Sequence, residues 1–260
     1  MPNLKLTLAY DGTDYVGWQR QAAGRSIQGA LESALAELEG APVTVTGAGR
    51  TDAGVHALAQ MASVRMARDI EPAVLTRALN AKLPADIRIL GADIVSSAFH
   101  ARYSARSKLY RYCVSNGRMA DPFAARYAWH VATPLDLDAM RAAGEQLRGR
   151  HDFAAFQSTG SAVRTSVRTL SSLTVARRPG CGVPDLTAGN GAARITIEVE
   201  ADGFLRHMVR AIVGTLVEAG CGRRPAGDIA SILESGRRDR AGPTAPAHGL
   251  FLVRVTCADA

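Results

Sequence analysis

The chain has 260 residues, 47% hydrophobic and 21% charged, a globular composition that excludes disordered and fibrous classes and fills one large domain or two modest ones. No apolar run is long enough to span a bilayer, the N-terminus alternates apolar and polar residues unlike a signal peptide, and the four cysteines include no Cys-x-x-Cys pair, so a cytoplasmic protein with no disulfide framework, no zinc site and no redox role is expected. The formal charge of +7 makes a polyanion a suitable partner.

Along the first half, Leu4, Leu6, Leu8 and Tyr10 alternate with Lys5, Thr7 and Ala9, which predicts a strand with one buried face. A glycine-bearing loop from Asp11 to Arg25 follows. Ser26 stands at a helix N-cap, Ile27, Leu31, Leu35 and Leu38 form one apolar stripe, and Gly40 closes that helix. Val43 and Val45 mark a second strand, and a third is expected near Leu58 to Met66. A helix opened by Pro72 and a strand near Ile87 to Val95 complete a β-α-β-β-α-β series.

The second half repeats this rhythm with insertions. A strand from Lys108 to Val114 leads to a helix with Thr133 as its cap and Pro134 at its first position, carrying Leu137, Met140, Ala143 and Leu147 on one face. Strands are predicted near Val167 to Val175 and Ala193 to Val199, with a Gly- and Pro-rich surface loop from Pro179 to Ala192 between them. An apolar helix from about Phe204 to Glu218, a short helix from Asp228 to Leu233 and a strand from Leu250 to Val255 end the chain. The expected fold is therefore α+β, two ferredoxin-like halves over residues 1–105 and 106–260 whose antiparallel or mixed sheets join into one central sheet flanked by helices. Up to Ala105 the chain carries 10 Lys+Arg against 10 Asp+Glu, and beyond it 21 against 14, so the charge excess lies wholly in the second half. All but Lys5, Lys82 and Lys108 of the 31 basic residues are arginine, the better bidentate binder of phosphate; a biased genome would produce the same enrichment.

The most unusual segment is Gly47-Ala-Gly-Arg-Thr-Asp-Ala-Gly-Val-His56, three glycines around Arg50 and Asp52 between two predicted strands. Glycines there allow a positive φ or a close backbone approach. As a dinucleotide fingerprint it fails, because Asp52 takes the place of the third glycine and a strand follows. Alone, it reads more readily as a β-turn in which Asp52 caps amides and Arg50 is solvated.

Further blocks decide between these readings. Tyr10-Asp-Gly-Thr13, Gly17-Trp-Gln-Arg-Gln21, Ser26-Ile-Gln-Gly29, Gly49-Arg-Thr-Asp-Ala-Gly-Val-His-Ala57, Phe99-His-Ala-Arg102, Tyr110-Arg-Tyr112, Asp152-Phe153 and Phe204-Leu-Arg-His-Met-Val-Arg210 to Gly214 together closely resemble the tRNA pseudouridine synthase A family, in its order and over nearly the whole chain. The resemblance implies an isomerase that converts uridine to pseudouridine at positions 38, 39 and 40 of the tRNA anticodon stem and loop. It implies a homodimer without cofactor, with Asp52 as the aspartate, Tyr110 as the active-site tyrosine and Arg210 as the basic partner of Asp52.

The chemistry is consistent with this. Pseudouridine formation breaks a carbon–nitrogen bond, rotates the base and rejoins it through carbon 5, with no oxidant and no group donor. A lone carboxylate could attack sugar or base, or take a proton from the sugar, and each route needs it ionised; a guanidinium such as Arg210 or Arg50 would hold it so. Tyr110 and Tyr112 share one strand face, where a ring could stack on an extruded base or simply fill the core. Arg20, Arg25 and Arg102 are the phosphate candidates in or beside the motif blocks, while Arg206 and His207 fit an RNA contact and a solvated face equally. His56 and His248 have no ligand at metal spacing and read as structural. A non-catalytic RNA-binding module gives no reason for an acid in a glycine-rich turn, and a nucleoside hydrolase needs a second acid, for which Asp11 or Asp14 would have to serve.

Overall fold

The computed structural model describes residues 1–158, 160, 164–178 and 193–257; the loop expected from Pro179 to Ala192 lies outside them. The chain divides into two compact units, residues 1–108 with 251–260, and residues 109–250. Both are α+β, with sheets and packed helices as the hydrophobic periodicity implies.

In the first unit β1 (Asn3–Tyr10) lies between β4 (Ile87–Val95) and β3 (His56–Arg65), antiparallel to both, with Leu6 opposite Ala62 on one side and Ala92 on the other. The short β2 (Val45–Gly47) pairs antiparallel with the far end of β3. The order β4-β1-β3-β2 is that of a split βαβ unit. The last strand of the chain, β10 (Leu250–Cys257), runs parallel to β3 with Phe251 opposite His56, so this sheet is mixed. Leu4, Leu6, Leu8 and Tyr10 are all buried, the face that their alternation predicts. α1 (Ile27–Glu39) starts where the Ser26 side chain accepts from the Gly29 amide and stops at Gly40, whose φ is +81°. α2 (Pro72–Lys82) opens on a Glu71 cap and packs on β4.

In the second unit β5 (Ala105–Asn116, its first residues in the first unit), β9 (Ala193–Ala201) and β8 (Val167–Arg177) take the places that β1, β3 and β2 take in the first, and β7 (Gly149–Asp152) extends the run beyond β8. A three-residue strand, β6 (Trp129–Val131), lies parallel to the end of β5. α3 (Leu137–Glu145) packs on β8 and on α4 (Met208–Gly220), and α5 (Ile229–Ser235) follows.

Two helix starts differ from the expectation. α3 is capped by Asp136, not Thr133: Asn116 holds the Thr133 carbonyl and the Leu135 amide, and the Asp136 amide donates to Gly220. With that stretch bound elsewhere, the helix begins where the Asp136 carboxylate accepts from the amides of Asp138 and Ala139. α4 begins at Met208, not near Phe204, because His207 takes φ +61° and a left-handed residue cannot continue a right-handed helix. Leu205 is nevertheless buried, so the apolar stripe runs on into a turn that periodicity alone cannot distinguish from helix.

Candidate active site

The glycine-rich segment forms the turn between β2 and β3, held by the loop that follows β1. The Trp18 amide donates to the Thr51 carbonyl at 3.0 Å, the Gly54 amide to Tyr15 at 3.4 Å, and the Val55 amide closes the turn onto the Asp52 carbonyl at 3.2 Å. Side chains add struts from below. The Tyr10 hydroxyl and Thr51 Oγ1 lie 2.9 Å apart, and the buried Gln60 amide donates to the Gly49 carbonyl at 3.0 Å and to the Tyr10 hydroxyl at 3.4 Å. Gly54 supplies the positive φ of the turn, +75°. Gly12 supplies close approach, since a Cβ there would stand 2.0 Å from the Val55 carbonyl oxygen. The outcome is a half-buried Asp52 beside an exposed Arg50 on a backbone with little freedom to drift.

The Tyr10 hydroxyl is a strut, not an acid: burial pushes its pKa up to about 12 against the lowering pull of its bonds to Thr51 and Gln60. His56 is buried and stacks on Phe251 at 4.7 Å. Its Nδ1 lies 3.0 Å from an Asp11 oxygen and 3.1 Å from the Gly12 amide, so a protonated nitrogen donates to Asp11 and a bare one accepts from Gly12. This histidine braces the loop against the strand.

In the second unit Tyr110 is buried, its ring edge-to-face with Phe204 at 5.1 Å. Tyr112 is fully buried, donates to the Pro246 carbonyl at 2.8 Å and packs against Trp129; burial raises its pKa while the charge of Arg210 pulls the other way. Tyr112 is core. Arg210 Nε donates to the Ala245 carbonyl at 2.7 Å and the Ala245 amide returns a bond to the Arg210 carbonyl at 3.1 Å, which fixes one end of the guanidinium. Burial holds His248 below the ordinary imidazole value; its hydrogen bond to the Ala128 backbone works against that, and the same Arg210 charge adds a smaller lowering. His207, the one non-glycine with positive φ among the described residues, places Nδ1 2.8 Å from Ser158 Oγ; such strain persists only where surrounding contacts impose it. A cavity of about 240 Å³ lies among Ser115, Asp121, Trp129, His130 and His248, and neither Tyr110 nor Arg210 lines it.

The remaining arginines divide. Arg20 lies 3.3 Å from the buried Glu32 carboxylate. Arg25 sits 4.8 Å over the Tyr15 ring, donates to its hydroxyl at 3.0 Å and lies 3.8 Å from Asp86. Arg50 and Arg102 are exposed with no ion pair among the described residues, and Arg206 is exposed beside Gly160. Among the described residues no cluster of three or more His, Cys, Asp or Glu side chains could hold a metal, and no helix is long and apolar enough to cross a membrane. Residue-type reasoning passed over Gln60, Thr51 and Tyr10 as positioning groups. A glutamine within the apolar run of β3 was the available signal for the first of these.

A carboxylate on a braced turn, in a basic chain built twice on the split βαβ plan, fits an enzyme acting on RNA. The family described as tRNA pseudouridine synthase matches residues 7–104 and 143–256. The chain is 46% identical over 255 residues to tRNA pseudouridine synthase A of Myxococcus xanthus, covering 98% of this chain and 92% of that protein. It is 47% identical over 257 residues to the protein of that name from Moorella thermoacetica, covering 98% and 99%, and 43% identical over 258 residues to that from Syntrophotalea carbinolica, covering 99% and 97%. The chain belongs to the tRNA pseudouridine synthase family. It is an isomerase of uridine in tRNA.

Proposed function

We propose that this isomerase acts at positions 38, 39 and 40 of the anticodon stem and loop, with Asp52 as its catalytic carboxylate, without a cofactor, as a cytoplasmic homodimer. The observation that carries the reading is the Asp52 turn itself. Five backbone and side-chain bonds from Tyr10, Tyr15, Trp18, Val55 and Gln60 hold a half-buried carboxylate on the stretch whose motif the resemblance assigns to catalysis. Fixing one reacting group within a fraction of an ångström is how a protein lowers a barrier without a cofactor.

The reaction balances on the chain's own groups. The bond between C1′ and N1 breaks, the base turns, C1′ joins C5, and the proton that leaves C5 is matched by one gained at N1. Every route open to Asp52 uses its ionised form, and Arg210, pinned at Nε by Ala245, is the guanidinium proposed to orient it. Tyr110 is the proposed platform and proton acceptor, its ring already held by Phe204. A base in a stem must leave its stack to react. Arg20, Arg25, Arg50, Arg102, Arg206 and His207 are the proposed RNA contacts, of which Arg50, Arg102 and Arg206 are exposed.

The test is incubation of the protein with a tRNA transcript carrying 5-tritiated uridine, in buffer with EDTA, followed by mapping of pseudouridine along the product. Tritium release with pseudouridine confined to 38–40 supports the reading; release confined to other positions refutes the site assignment, and free uracil would mean hydrolysis instead.

A further inference from the structure

The turn that leaves β4 presents a largely exposed aromatic ring. Tyr103 is 78% exposed, yet it is not loosely held. Asn3 donates to the carbonyls of Ser96 and Phe99, the Ala101 amide donates to Ser63, and Phe99 and Ala101 sink into a cluster with Ala48 and Met61. The amides of Tyr103 and Ser104 both donate to the His100 carbonyl. His100 Nδ1 accepts from the amides of Arg102 and Tyr103 at 3.2 and 3.4 Å, which leaves the proton on Nε2 and fixes the imidazole plane. That plane stacks on the Tyr103 ring at 4.4 Å and 29°. The Arg102 guanidinium lies 5.8 Å from the same ring, within cation–π range.

Two features say what this ring would meet. An exposed, pre-positioned aromatic with stacking neighbours is the arrangement that takes a nucleobase, because every base has a π-face and stacking tolerates sequence. The charge is complementary as well: from residue 94 to 108 the chain has no acid, while it carries Arg102, Arg106 and Lys108, cations suited to the phosphates on either side of a stacked base. We propose that His100, Arg102 and Tyr103 form a stacking platform for one unpaired base of the RNA substrate, a base other than the reacting uridine. The proposal rests on the reading of this protein as an enzyme of tRNA.

The experiment compares the full chain with Tyr103→Leu and Tyr103→Phe. Affinity for an unmodified tRNA transcript is measured at one salt concentration, with thermal midpoints as a check on folding. Loss of the ring should weaken binding roughly 5- to 150-fold, the range for one stacked base, while Phe, which keeps the ring, binds as the unchanged chain does. A series of transcripts with single abasic positions supplies the second readout. One unpaired position should weaken binding to the unchanged chain and have no further effect on Tyr103→Leu. Equal affinity of Leu and Tyr, or Phe as weak as Leu, overturns the platform. A Leu variant that self-associates less at unchanged RNA affinity also overturns it and assigns the ring to a contact between copies. Binding is read apart from turnover, so absence of tritium release by the unchanged protein would sink the synthase reading while the affinities still decide the platform.

Discussion

Replacing Gly12 with alanine tests whether the loop after β1 sets the position of Asp52. The added Cβ would stand 2.0 Å from the Val55 carbonyl oxygen and 2.7 Å from its carbon. Both are backbone atoms that cannot rotate away. Real Cβ atoms keep at least 3.0 Å from such neighbours, so the two segments must part by about 1 Å, and the Val55 amide that closes the Asp52 turn moves with them. Overpacking of this kind costs about 1–3 kcal/mol, and a 1 Å misplacement of a reacting group costs on the order of 10²-fold in rate. Single-turnover tritium release should therefore fall by about two orders of magnitude while the variant stays folded. Two controls separate position from strain. Gly91→Ala, with nothing within 4 Å of the new methyl, should leave rate and stability near those of the unchanged chain. Gly40→Ala, equally open but at φ +81°, should lose about 1–2 kcal/mol without losing rate. A folded Gly12→Ala protein with full turnover would refute the link between this loop and the site.

Other perturbations address single groups. Tyr110→Phe keeps the ring against Phe204 and deletes the hydroxyl, so tRNA affinity should hold while the final deprotonation slows by about 10²-fold or more; full activity in Tyr110→Leu would return the residue to a packing role. Arg210→Met should lower turnover by roughly 10²-fold or more with tRNA affinity retained, and a variant that binds weakly yet turns over normally at saturation would make Arg210 a phosphate contact instead. The pH dependence of stability follows from the buried tyrosines. The unfolded chain ionises Tyr10 at its ordinary value of 10.0, whereas burial holds the folded group to about 12, so stability present below pH 10 should be lost by about 3 kcal/mol as pH rises toward 12. Denaturant midpoints between pH 9 and 12 check this, and Tyr10→Phe should flatten the decline.

What could be read in advance followed the reach of each interaction along the chain. The Ser26 cap and the Gly40 stop of α1 act over three or four residues, and alternation in β1 reports burial directly. The Asp52 turn was visible because glycine spacing is itself local. Its supports were not: Gln60 reaches Tyr10 across 50 positions and His56 meets Gly12 across 44, distances over which pattern carries no information. The start of α3 shows the same limit, since Thr133 and Pro134 form a good local signal that Asn116 and Gly220 override. Tyr112 shares alternation with Tyr110, and it is contacts distant in sequence, with Trp129, the Pro246 carbonyl and the closely approaching Gly249, that identify it as core. Arg20 and Arg25 were legible as cations beside the motif blocks, but their ion pairs with Glu32 and Asp86 were not, because those carboxylates come to them from other elements.

The central claim is that Asp52 carries the chemistry. Asp52→Asn keeps the size of the side chain and the backbone bonds of the turn, so the variant should fold, melt close to the unchanged protein and bind tRNA. The decisive measurement is tritium release from 5-tritiated uridine in tRNA by the two proteins side by side. The account predicts release by the unchanged chain and none above background by the variant, even at enzyme excess. Appreciable release by the folded, purified variant would contradict it.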